Sequence, residues 1–156
     1  VANGSFTFSL VTDPLILLHN LVPTRTAVMH ELNLEFCTIY FLENDVAHTH
    51  FKGERTISAE QVQEMFDAIE KERGGRKVLL MVSVGAGTTM SNEARAYAST
   101  EDSCKYIAAD AILVRDFGHQ LAANVFVRHH KPHRPIQMFN DKNKAMDWLA
   151  MQRNLI

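Results

Sequence analysis

Cysteine, tryptophan and proline are scarce in this chain: two, one and four among 156 residues. Cys37 and Cys104 could form at most one bridge, which excludes a disulfide-stapled scaffold. Cys37 falls in a strand pattern and Cys104 in a helix pattern. Both read as small buried or half-buried hydrophobes of a reduced, cytoplasmic protein. No apolar run approaches the roughly 20 residues of a membrane-spanning helix, so stable membrane insertion is not expected. A formal net charge of −2 supplies no pull toward nucleic acid or an anionic membrane. Catalytic signatures are missing too. There is no Gly-x-Ser-x-Gly elbow, no phosphate-binding loop closed by Gly-Lys-Ser/Thr, and no paired-cysteine or zinc-hydrolase pattern. The sequence therefore assigns no catalytic residue, no metal and no cofactor.

What is present centres on Lys77 to Tyr97. Val78 to Val84 is apolar except for Ser83 and does not alternate. A strand apolar on both faces belongs in the middle of a sheet with helices on both sides. Gly85 and Gly87 end it, and Ser91-Asn-Glu-Ala starts a helix with Ser91 as N-cap. The loop Gly85, Gly87, Thr88, Thr89 and Ser91 thus lies at the carboxyl end of a central strand, where α/β sheets bind ligands. It is either an interaction loop or an ordinary strand-to-helix connection.

The other elements follow from pattern. Residues 1–28 hold Pro14 and Pro23, show no sustained period, and read as a loosely ordered N-terminal extension. A single domain spans residues 32–152. Phe36–Leu42 and Val46–Phe51 are β-rich and flank Glu43-Asn44-Asp45, a hairpin signal. Ser58-Ala-Glu-Gln61 is a capping box, followed by Val62, Met65, Phe66 and Ile69 at helical spacing. Ala108–Val114 and Ile136–Phe139 read as strands. Phe117–His130 reads as a helix with Leu121, Val125 and Phe126 on its inner stripe, and Asn140 or Asp141 caps a last amphipathic helix through Ala145, Trp148 and Leu149. This order predicts one α/β sandwich: a mostly parallel four- to five-stranded sheet, an N-terminal antiparallel hairpin and flanking helices.

Three constellations bear on chemistry. His48 and His50 share one strand face and either line a pocket or half-face solvent. His129 and His133 are four apart, but Pro132 between them ends the helix that a shared metal site would need. Ser83 or Ser91, His119 and Asp110 or Asp116 would be needed for a hydrolytic set, and no spacing supports one. Candidate pocket residues are His48, His50, Phe66, Met90, Phe117 and Phe126, with core packing as the competing reading of the aromatics.

The second half resembles a known family. The runs Ala-Tyr-Ala-Ser…Tyr-Ile-Ala-Ala-Asp-Ala-Ile-Leu-Val, Ala-Ala-Asn-Val-Phe-Val-Arg-His-His-Lys-Pro…Pro-Ile-Gln-Met-Phe and Ala-Met-Asp-Trp-Leu resemble bacterial SpoIIAA-like proteins of the STAS/SEC14 type. The similarity covers about Leu32 to Met151, and Asn124 to Pro135 is its most specific part. It implies a four- or five-stranded sheet flanked by helices in a small cytoplasmic protein. It also implies a non-enzymatic regulatory or protein-interaction role, or carriage of a small apolar ligand. Phosphorylated antagonists in that group carry an Asp-Ser/Thr-Ser-Gly type motif after the central strand. Here the segment reads Val-Gly-Ala-Gly-Thr-Thr-Met-Ser, with no Asp before a Ser or Thr. Expected partners are a protein or an apolar small molecule, and not nucleic acid.

Overall fold

The computed structural model describes residues 26–156 apart from 103 and 104. Residues 1–25 and Cys104 lie outside the described residues. In chain order the strands are β1 (Val28–Asn33), β2 (Cys37–Leu42), β3 (Val46–Phe51), β4 (Thr56–Ile57), β5 (Val78–Val84), β6 (Thr89–Met90), β7 (Ile107–Leu113) and β8 (Ile136–Phe139). The helices are α1 (Ala59–Arg73), α2 (Asn92–Ala98), α3 (Phe117–His130) and α4 (Lys142–Met151). Six strands form one sheet in the order β1-β2-β3-β5-β7-β8, and β4 pairs with β6. The β1–β2 and β2–β3 pairings are antiparallel, and the three that follow are parallel. The expected α/β sandwich is thus present, with a hairpin leading into a parallel sheet. Its sheet has a sixth strand, because Val28–Asn33 adds to the free edge of β2.

Local chemistry explains the element ends. Asn44 and Asp45 turn the β2–β3 hairpin with φ of 68° and 59°, and these residue types tolerate that left-handed region best. Ser58 and Gln61 form the reciprocal capping box at the start of α1. Gly74, with φ of 61°, closes that helix, and its N–H donates back to the last turn. Helix α3 stops at His130, and Lys131 follows with a φ of 41°.

The core has two layers. On one face of the sheet Val62, Met65, Phe66 and Ile69 of α1 pack on Phe36, Ile39, Phe41, Phe51, Val78 and Leu80. Each such side chain contributes roughly 1.5–3 kcal/mol by leaving water. On the other face Ala145 and Leu149 of α4 pack on Leu42, Val46, Leu79 and Met81 and on the alanines of β7. Strand β5 sits between β3 and β7, and Val78 to Met81 are buried as a central strand requires. Val82 to Val84 are only half-buried, which departs from full burial on both faces. Leu121 and Val125, expected on the inner stripe of α3, are 54% and 44% exposed. No helix among the described residues is long and apolar enough to cross a membrane.

Candidate functional site

The half-buried end of β5 opens onto a cavity of about 380 Å³. Its floor is Leu80, Val82 and Val84 of β5 with Ile112 of the neighbouring β7. Met65 and Phe66 of α1 close one side, and Met90 and Ala98 close another. The space has a simple origin. Helix α2 is seven residues long and turns Ala94 and Ala98 into the core. Two methyl groups from a two-turn helix cannot fill the space over two strand ends, whereas the Met and Phe of α1 fill theirs.

The loop that rims the cavity is held by backbone contacts. A Cβ on Gly85 would lie 2.5 Å from the Gly53 nitrogen, so the two strand-end loops touch where only hydrogen atoms fit. Gly85 N–H donates to Phe51 O at 2.7 Å, and the Thr88 hydroxyl donates to Lys52 O at 2.7 Å. Ser91 Oγ accepts from Ala94 N–H at 3.0 Å, the N-cap the sequence predicts. Among the five loop residues singled out from sequence, Gly85 and Thr88 are therefore buried and Ser91 is engaged as a cap. Gly87, with φ of 70°, and Thr89 face solvent. Thr88, Thr89 and Met90 also line the cavity, so this loop and the pocket are one feature.

Charge enters on one wall. Asp110 sits in the otherwise apolar β7 and is 5% exposed. Arg134 donates from Nη2 to its Oδ2 at 2.5 Å and from Nη1 to Ala98 O at 3.3 Å. Burial raises the Asp110 carboxyl above its ordinary value, and the guanidinium opposes that rise. The ion pair with Arg134 offsets part of the cost of burying the Asp110 carboxylate. Asp116 also lines the cavity, as does Arg95 of α2.

The six pocket residues expected from sequence do not all meet there. Phe66 and Met90 line the cavity. The side chains of Phe117 and Phe126 lie outside the described part of the structure. His48 and His50 are on the opposite face of the sheet, and strand parity is the reason. Phe51 faces the cavity side, so residues 48 and 50 of the same strand face away. There they converge on one hydroxyl: His48 Nε2 is 2.8 Å and His50 Nδ1 2.9 Å from Ser83 Oγ. The Tyr40 ring lies 5.7 Å from that of His48. Burial, then the nearby Lys142 and His50, lower the His48 pKa to about 4, so the ring is neutral at pH 7. Asp110 is on the far side of the sheet from Ser83, so these two cannot share a hydrolytic set. Among the described residues, no group of three or more His, Cys, Asp or Glu side chains could hold a metal. His129 lies in α3 and His133 beyond its end, so one helix face does not present both.

Sequence reading passed over Val82 and Val84, the Asp110–Arg134 pair and the Ser83 junction. A signal existed for two of them. Asp110 and Ser83 each interrupt an apolar strand, and a polar residue in a buried strand needs a partner.

Comparison with known proteins adds a family. The family model described as a domain of unknown function, DUF7793, matches residues 40–153. No curated protein matches the chain. One similar solved structure is an uncharacterized protein from the DUF3478 family with a SpoIIAA-like fold, from Shewanella loihica PV-4. It is 16% identical, with a TM-score of 0.48, over 79% of this chain and 92% of that one.

Proposed function

The chain belongs to DUF7793, a family described only as a domain of unknown function, and we propose that it is a non-enzymatic binding domain, a carrier or sensor of a small and largely apolar ligand. One observation carries this reading: the cavity of about 380 Å³ at the carboxyl ends of β5 and β7, floored by aliphatic side chains. Small-molecule sites in open α/β sheets occur at that position and begin at roughly 300 Å³. With liquid water as a guide, at about 30 Å³ per molecule, the space takes roughly a dozen non-hydrogen atoms.

A regulatory role is supported by a second observation. Thr88, Thr89 and Met90 line the cavity and belong to the Gly85 to Ser91 loop, whose Gly87 and Thr89 face solvent. A ligand in the cavity would touch the segment that an outside partner would meet, so occupancy and partner binding would be coupled through a few residues.

Mass spectrometry of protein purified without denaturation from its native host tests the carrier reading, together with titration of the neutral dye Nile red. A bound small molecule or a saturable dye signal is expected. Val82→Trp should abolish both while the melting temperature stays within a few degrees, because the indole occupies space that is already open. Absence of any ligand mass together with no saturable dye binding would remove the proposal.

A further inference from the structure

The ligand's chemical class follows from the charges on the cavity wall, given the carrier reading above. Among the described residues, four ionisable side chains line it: Arg95, Asp110, Asp116 and Arg134. Arg134 and Asp110 neutralise each other at 2.5 Å. The second Asp110 oxygen has no hydrogen-bond partner, but packing shuts it off from a water-sized sphere, so a ligand head group cannot reach it. Asp116 has an interaction of its own. That leaves Arg95, whose guanidinium has no ion pair or hydrogen bond among the described residues. It projects from a helix pinned at its start by the Ser91 cap, and its side chain is half-buried at the cavity.

A half-buried cation at the edge of an apolar space suits a particular shape of molecule. The arginine stem extends the apolar wall while the charged head stays near water. A ligand that matches it has an apolar body and one anionic group at its end. The planar guanidinium binds carboxylate or phosphate with two parallel hydrogen bonds, which an alcohol cannot reproduce and an ammonium repels. We propose that the cavity binds an amphiphile of medium length, an aliphatic or aryl carboxylate of roughly a dozen non-hydrogen atoms, with its head on Arg95. A monoester phosphate of the same size shares this chemistry.

The test is displacement of Nile red from the full chain at pH 7 by decanoate, decyl phosphate, decanol and decylamine, in wild type, Arg95→Gln and Arg95→Lys. The two anions should displace the dye at concentrations about tenfold or more below decanol, the gain expected of one charge-assisted contact. Decylamine should be weakest. Arg95→Gln should bring the anions to the level that decanol shows in the same variant, and Arg95→Lys should restore part of the preference. The ratio of decanoate to decyl phosphate identifies which anion is favoured. Equal binding of decanol and the anions by wild type, or tightest binding of decylamine, would overturn the inference and leave the apolar cavity standing. A preference for anions that survives Arg95→Gln would overturn the assignment to Arg95. Displacement by none of the four would overturn both this inference and the carrier reading.

Discussion

At the scale of single residues, His48 links an interior position to solution pH. Its imidazole is held neutral in the fold, with a pKa lowered from 6.5 to about 4 chiefly by burial. The unfolded chain takes up a proton near pH 6.5, and the folded chain does so only near pH 4. Between those values the unfolded state binds more protons, so stability rises with pH. The contribution is fully present above pH 6.5 and is lost as the pH falls to 4. A shift of this size corresponds to at most about 3.5 kcal/mol, at about 1.4 kcal/mol per unit. His48→Gln keeps a donor toward Ser83 and removes the titration. The difference in unfolding free energy between wild type and variant, measured by urea titration across pH 4 to 7, should shrink in favour of the variant as the pH falls. A difference that stays flat across that range would show that His48 is not held neutral. Cys37 shows the same physics with a thiol: burial pushes it up to about 12, so it is not a nucleophile at neutral pH.

At the scale of elements, the junction of the β3 and β5 ends decides whether the cavity rim can form. The nearest neighbours of a Cβ on Gly85 would be Gly53 N at 2.5 Å, Gly53 Cα at 2.7 Å and Lys52 C at 3.1 Å. All are backbone atoms, so no rotamer change relieves the clash. The overpacking should cost about 1–3 kcal/mol. That exceeds the roughly 0.4–1 kcal/mol gained by making the unfolded chain stiffer. Gly85→Ala should therefore lower the melting temperature by several degrees and weaken dye binding, because Thr88 to Met90 are positioned by this contact. An unchanged melting curve would mean that the loops part at no cost. Gly87→Arg is a poor probe of an interaction surface by comparison. At φ of 70° any side chain is strained there, whatever it touches.

At the scale of the molecule, the sheet begins earlier than a domain starting at residue 32 implies. Strand β1 pairs along β2 from Val28 to Asn33, and Ala27 O accepts from Glu43 N–H at 3.3 Å. His30 stacks on Phe41 with ring centroids 5.9 Å apart. A chain beginning at Thr26 is expected to melt within a few degrees of the full one. A chain beginning at Phe36 loses the edge strand and bares the backbone of β2. It should melt on the order of 10 °C lower, a loss of a few kcal/mol for a domain of this size. Differential scanning calorimetry of the two truncations decides the matter. Equal melting temperatures would show that β1 adds nothing to the sheet.

Periodicity and local chemistry, both written in the sequence, determined the elements and their order. Val78 to Val84 reads as a central strand because it is apolar on both faces, and Ser58 with Gln61 announces a helix start through a contact three residues long. Such signals involve near neighbours in the chain, so they survive without knowledge of the fold. The edge strand Val28–Asn33 was less legible, since its burial is slight and its partner is the only reason it is extended. Phe66, Met90 and the Gly85–Ser91 loop stood out in the sequence, but tertiary structure decided the rest of the site. The face on which His48 and His50 lie depends on strand parity relative to a helix packed from elsewhere. The cavity exists because α2 is short and presents alanines over Val82 and Val84. Arg134 meets Asp110, 24 residues before it, only because β7 and β8 are neighbours in the sheet. A void and a buried ion pair are properties of what surrounds a residue, and the surroundings come from distant parts of the chain.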